Sequence, residues 1–362
     1  MLKKLDIYII RQLLFKLFYC ILSFTIIFIV VDLIDHIDKF IDASMPKTAI
    51  FKYYLYTIPW YISIALPMST LISTVLTIST MNKLNELSTL KSSGVSFFRI
   101  SVPILTIGII LSIFSFHFDN KVVTNSFKKR VAIEQENEMW GKINKNKKKR
   151  EIFRQIGPEE ILYIKRFQHT GNIATNVTLQ KFKSNNLIYR MDIKQMNWNR
   201  LNSNWETNHI EIKEWLNGKL HQSVKHEVDT AIIMNVSPQD LILDSTRPRE
   251  MNYIELKEFV KKMESNAISS PMWKVDLHFK TAFAATSFLM VLFGLSLSMK
   301  NSRNSFATGL GLSIITIFLY YIALKMGQSL GYKAIIVPFF SVWAPNILFL
   351  SIGLYLFFKI RS

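Results

Sequence analysis

The sequence predicts an α-helical membrane protein with six transmembrane helices, three on each side of an inserted extracytoplasmic β-rich domain. Three observations predict it: six long apolar runs, a polar middle stretch that alternates with period two, and basic residues gathered on one set of short flanks. Apolar residues make up 49% of the 362-residue chain, yet its formal net charge is +18. Clustering, more than abundance, decides against a soluble domain. Hydrocarbon about 30 Å thick takes roughly 20 helical residues to cross.

The first span is expected over 13–33, with Lys16 close enough to its end to snorkel. Lys3 and Lys4 precede it as in a signal peptide. The run nevertheless exceeds the usual ~7–15-residue apolar core, and no small-x-small cleavage site follows, so it reads as uncleaved. The single cysteine, Cys20, lies within it as a small lipid-facing or packed side chain, and no internal disulfide is available to the exported region. The second span, 56–80, contains Pro59 and Pro67, which predict a kink or a surface helix ahead of the true crossing. The third covers 100–118. A polar stretch, 119–276, separates it from spans over 281–299, 306–324 and 335–358. Three segments result: 1–122, 123–250 and 251–362.

Short flanks on one side hold ten basic residues, among them Lys3, Lys4, Arg11, Lys83, Lys91 and Arg99. Those on the other hold five (Lys39, Lys47, Lys52, Lys325 and Lys333), diluted by Asp35, Asp38 and Asp42. The positive-inside rule then places both termini in the cytoplasm and the middle domain outside it.

Strands are expected over 160–168, 176–183, 187–198, 205–216 and 219–235, where apolar and polar residues alternate or nearly do. Turn signals at 183–186, 201–204 and Asn217-Gly218 separate them, as in an antiparallel meander, sandwich or jelly roll. Leu187, Tyr189, Met191 and Ile193 share one strand face. Asn252 and Glu255 form an approximate capping box ahead of a helix striped with Tyr253, Leu256, Val260 and Met263. The cluster Lys145, Lys147, Lys148, Lys149 and Arg150 reads as an exposed loop.

Motifs for self-contained catalysis are missing from the sequence. It has no G-x-x-x-x-G-K-[ST] phosphate cradle, no H-E-x-x-H pair among its seven histidines and no G-x-S-x-G elbow. Asp32, Asp35 and Asp38 share a helical face as a possible cation site, with interfacial acids the plainer account. No enzyme activity, bound cofactor or nucleic-acid partner is expected. The informative segment is 82–99, NKLNELSTLKSSGVSFFR, which is too polar to span and too regular for a floppy loop. Leu84, Leu87 and Leu90 predict a short amphipathic helix over about 82–94, ended at Gly94. Such a helix suits docking to a motor protein through Glu86, or serves as a connector stabilised by lipid headgroups.

The order of these features resembles the LptF/LptG family of lipopolysaccharide-export ABC transporter permeases. Four stretches carry the resemblance: VDLIDHIDKF at 31–40; Leu66-Pro67-Met68 followed by NELSTLKSSGVSFFR at 85–99; VDLHFKTAFAATSFLMVLFG at 275–294; and 338–350 with Trp343-Ala344-Pro345-Asn346. It implies a β-jelly roll as the middle domain, an inner-membrane location, a second homologous permease, and an ABC ATPase dimer that uses ATP. It also implies a periplasmic jelly-roll bridge protein as acceptor and lateral entry of lipopolysaccharide between the first and fifth spans. The family's coupling glutamate maps onto Glu86, with Leu84, Leu87, Leu90, Gly94 and Arg99 around it. Phe24, Phe28 and Phe318 would line the lipid cavity and Lys39 would meet phosphate. Asp32 and Asp38 depart from the pattern where further basic residues stand, which puts phosphate clamping by this subunit in doubt. The F-type and the G-type subunit both stay open, with the G-type favoured. Rival expectations are a lipoprotein-release or mechanotransmission ABC permease, and a non-transport membrane scaffold or sensor.

Overall fold

A computed structural model describes residues 4–137, 148–157, 159–168, 171–183, 186–199, 204–207, 209–216, 219–226, 230–232, 238, 248–265, 271–299 and 305–359. The helices are α1 (Lys4–Asp42), α2 (Lys47–Lys83), α3 (Glu86–Ser92), α4 (Phe97–Phe118), α5 (Thr124–Glu136), α6 (Tyr253–Ser265), α7 (Pro271–Met299), α8 (Ser305–Tyr332) and α9 (Pro338–Phe358). Six helices are long and apolar enough to cross a membrane, with α4 and α5 counting as one through a π-turn at Asp119–Val123.

The spans fall where the apolar runs lie, but most outrun them. The 39 residues of α1 make about 58 Å of helix at 1.5 Å per residue, overshooting the hydrocarbon. α2 is unbroken through Pro59 and Pro67, so no separate surface helix precedes its crossing. Its hydroxyls keep backbone acceptors satisfied from within: Thr57, Thr74, Thr77 and Thr80 each donate to the carbonyl four residues back.

α2 and α7 form the centre of the bundle. In each, 72% of the most apolar stretch is buried, against 11% for α1. α8 and α9 meet through Gly327 and Gly331, where an added Cβ would overlap Ser341. This small-xxx-small spacing lets the two backbones approach. Asn346 ties the same region together, accepting from the Tyr320 hydroxyl and donating to the Ala282 carbonyl at 2.7 Å.

The inserted region is an antiparallel sheet of β1 (Lys148–Gly157), β2 (Glu160–Gln168), β3 (Ile173–Lys183), β4 (Asn186–Asn199), β5 (Asn204–Thr207), β6 (Ile210–Leu216), β7 (Lys219–His226) and β8 (Thr230–Ile232). β5 and β6 pair with β4 in one register and read as a single interrupted strand; β8 and β7 pair with them in turn. The sheet is therefore an up-and-down meander. Three expected strands lie where the alternation put them, the fourth is described over 204–207 and 210–216, and the fifth over 219–226 and 230–232. Lys148, Lys149 and Arg150, expected in a loop, begin β1 and pair with Arg166, Phe167 and Gln168. Lys145 and Lys147 lie outside the described residues. Lysines on an edge strand discourage further pairing, which reconciles their charge with strand structure.

A crease crosses the sheet. The buried face changes parity between Ile164 and Phe167, between Ala174 and Val177, and between Ile193 and Met196, all in one aligned band. Asn176, at φ 52°, sits on that line in β3. Slipping the alternation by one residue keeps both halves of each strand facing one core, centred on Trp205 and Phe167.

At the sheet edge Phe153 and Tyr163 pack with Leu256, Val260 and Trp273, joining β1 and β2 to α6 and the start of α7. The capping box forms reciprocally: the Glu255 N–H donates to Asn252 Oδ1 at 2.9 Å, and the Asn252 N–H donates to Glu255 Oε2 at 3.0 Å. Asn252→Ala is expected to cost about 1 kcal/mol locally. Amide exchange over 253–265 should then accelerate roughly fivefold while the spans stay protected.

Candidate functional site

One end of the bundle gathers the start of α1, the end of α2, α3, the start of α4 and the end of α9. Ile9, Leu13, Met81, Leu87, Phe97, Ile100 and Phe357 pack there in one buried cluster. The helix expected over about 82–94 is shorter: residues 82–83 belong to α2, and α3 covers 86–92. Asn85 in the left-handed conformation, φ 58°, separates the two, a geometry asparagine tolerates better than most residues.

Gly94, at φ 83°, ends α3. Its N–H donates to the Lys91 carbonyl and that of Val95 to the Leu90 carbonyl, both at 3.0 Å, which is the Schellman pattern. Ser96 then caps α4 by accepting from the Arg99 N–H. The three leucines do not share one role. Leu87 is buried and Leu90 half-buried against the cluster, while Leu84 lies in the turn and is 59% exposed.

Glu86 is turned toward α1. The Tyr8 hydroxyl donates to its Oε1 at 2.8 Å, and its Oε2 is buried without a hydrogen-bond partner among the described residues. Arg99 reaches the same helix, its two terminal nitrogens meeting the Asp6 carboxylate at 2.7 and 2.8 Å. Tyr8 and Asp6 escaped the sequence reading. The available signal was an acid in the first turn of an otherwise cationic terminus.

Above this end, α1 and α2 bound an apolar groove of about 390 Å³ lined by Phe15, Tyr19, Phe24, Ile27, Ile72 and Leu76, with Lys16, Cys20 and Ser23. Over 63–80, α2 is buried except for one half-exposed edge at a spacing of four: Ile64, Met68, Ile72, Leu76 and Thr80. Ile72 lines the groove toward α1 and packs toward α8 against the cluster of Ile317 and Tyr320. The edge of α2 is thus a floor with α1 and α8 on its flanks. Lys16 does not simply snorkel: its Nζ donates to the Leu76 carbonyl at 3.2 Å and to Thr80 Oγ1 at 3.0 Å.

Phe24 lines the groove and stacks on Phe28 at 6.3 Å, and Phe28 lies 6.0 Å from the Tyr61 ring. Phe318 projects from α8, 64% exposed. Lys39 is half-buried, about 16 Å beyond Phe28 along the helix. These four positions are strung along the bundle and do not converge on one point. Asp32 faces α2, accepting from the Tyr54 hydroxyl at 3.2 Å with His36 at 3.4 Å, while Asp35 and Asp38 are exposed. No group of acidic, histidine or cysteine side chains fit to hold a metal occurs among the described residues. Nearby, Arg130 pairs with Glu134 at 2.8 Å and stacks over Tyr53 at 4.7 Å, fastening α5 to α2.

Six membrane helices with a β-sheet inserted between the third and fourth, and a short helix wedged between the second and third, define a multi-pass membrane permease. The chain belongs to the lipopolysaccharide export system permease LptF/LptG family, whose model matches residues 7–359. No curated protein matches it. It is accordingly a multi-pass inner-membrane protein of lipopolysaccharide export, of the kind that works as the permease of an ABC transporter.

Proposed function

We propose that this chain extracts lipopolysaccharide from the inner membrane as one of two paired permease subunits and passes it toward a periplasmic β-jelly-roll bridge. The observation that carries the reading is the apolar groove between α1 and the half-exposed edge of α2, with α8 packed on the other side of that edge. An apolar trough at membrane depth takes acyl chains by burying their methylenes, each worth about 0.8 kcal/mol. A second permease facing it would close the trough into a cavity with Phe24, Phe28 and Phe318 on its wall.

The excess of Lys and Arg on the α3 side orients that end to the cytoplasm and the sheet to the periplasm. The coupling segment around Glu86 then meets a separate ABC ATPase dimer, and ATP is consumed there and not by this chain. Asp32 is engaged by Tyr54 and His36; Lys39, half-buried near the α1 terminus, meets lipid phosphate in this reading, with the partner permease supplying more cations. The sheet receives the lipid on its apolar face.

Co-purification from native membranes tests the proposal. An ATPase of the ABC class should be recovered with the intact chain in mild detergent, together with a second six-span permease. Recovery of the chain without any ATPase would contradict it and favour a scaffold or sensor.

A further inference from the structure

Two contacts from α1 bracket the coupling segment. Tyr8 holds Glu86, the first residue of α3, and Asp6 holds Arg99 in the first turn of α4. Ile9 and Leu13 pack in the same cluster as Leu87 between them. Beyond these contacts the same helix continues without a break into Phe15–Ile27, one wall of the groove. α1 is also the least buried span, with 11% of its most apolar stretch buried and its packing made mainly along α2. α2, by contrast, is locked at the centre.

A push on α3 therefore has two routes into the membrane, and only one of them ends on a movable element. Through α2 it meets a helix packed on nearly every side. Through the Tyr8 and Asp6 contacts it meets a lightly packed lever whose far part is the groove wall. Glu86 adds a constraint: its carboxylate is turned in against α1, so presenting it to a motor requires α3 to shift and the Tyr8 bond to follow or break.

Resting on the transport reading above, we propose that Asp6 and Tyr8 are positioning residues that latch α1 to the coupling segment. ATPase-driven displacement of α3 is then delivered to the groove wall through α1. Neither residue touches lipid or nucleotide; each acts through Arg99 or Glu86.

The test uses the full complex, permease pair with ATPase, in proteoliposomes containing lipopolysaccharide. It reads ATP hydrolysis and lipid release together for Asp6→Arg, Arg99→Asp, the double reversal and Tyr8→Phe. Asp6→Arg is expected to keep hydrolysis within about twofold, and each single charge reversal to lower lipid released per ATP roughly tenfold, the size of a typical coupling energy. The double reversal should recover most of that loss. Tyr8→Phe removes one hydroxyl with little threat to folding, and should lower release per ATP roughly tenfold, as expected for a hydrogen bond to a charged group. Unchanged release per ATP in the single variants, or a double reversal that stays uncoupled, overturns the latch. A wild-type complex without ATP-driven release overturns the transport reading instead.

Discussion

Replacing Glu86 with arginine should lower lipopolysaccharide export roughly 10- to 100-fold. Glu86 is half-buried, accepts from Tyr8 and lies on the α1 side of α3, on the same side as Lys16. An arginine there leaves the Tyr8 hydroxyl without its acceptor and sets a second cation near Lys16. Losing a hydrogen bond to a charged group commonly costs about 1.5–3 kcal/mol, and 1.4 kcal/mol is tenfold. α3 has only seven residues, so it has little helix of its own to absorb the loss and must shift as a unit. Export is read as lipopolysaccharide reaching the outer membrane in cells that depend on the variant.

Trp205→Ala should unfold the inserted sheet while the six spans still insert. The indole is fully buried at the centre of the sheet core, 5.1 Å from the Trp198 ring and 6.4 Å from that of Phe167. Removing a buried aromatic costs about 3–5 kcal/mol, a large share of what a domain of this size has to spare. With one cysteine in the whole chain, no disulfide holds the sheet once its core loosens. Limited proteolysis should then cut within 148–232 and spare the spans. Lipid release to a periplasmic acceptor should fail although the ATPase still co-purifies, separating the sheet's task from that of the coupling end.

The contrast between these two sites shows which parts of the molecule the sequence makes legible. Spans declare themselves because hydrocarbon demands long apolar runs. Their ends do not, because a helix such as α1 continues into polar flanks where helix formers persist. Pro59 and Pro67 suggested a break that α2 does not have; the helix runs unbroken from Lys47 to Lys83. The capping box of Asn252 and Glu255 was readable because both partners lie within one turn. Asp6 with Arg99 and Tyr8 with Glu86 were not, since each pair is made by tertiary packing across many residues.

In the sheet, the doubled polar steps Lys165-Arg166 and Lys194-Gln195 blurred the alternation. The structure gives the reason: they mark a crease aligned from strand to strand. β1 was missed because its first three residues are basic, a composition that suits an edge strand as well as a loop. Of the groove, Phe24 was legible as an apolar face. Its floor was not, since the five-residue edge of α2 becomes visible only once the other faces of 63–80 are covered.

The central claim is that lipopolysaccharide occupies the trough between α1 and α8 and leaves it when ATP is used. A photo-crosslinking residue at Phe24, with a second at Ile113 as control, tests this most directly. Ile113 lines a separate apolar groove of about 290 Å³ among α4, α7 and α9. In the complex with its ATPase, the Phe24 position should crosslink to lipopolysaccharide without nucleotide and lose most of that adduct during ATP turnover, while Ile113 captures little in either state. Equal capture at the two positions, or a Phe24 adduct indifferent to ATP, would contradict the account.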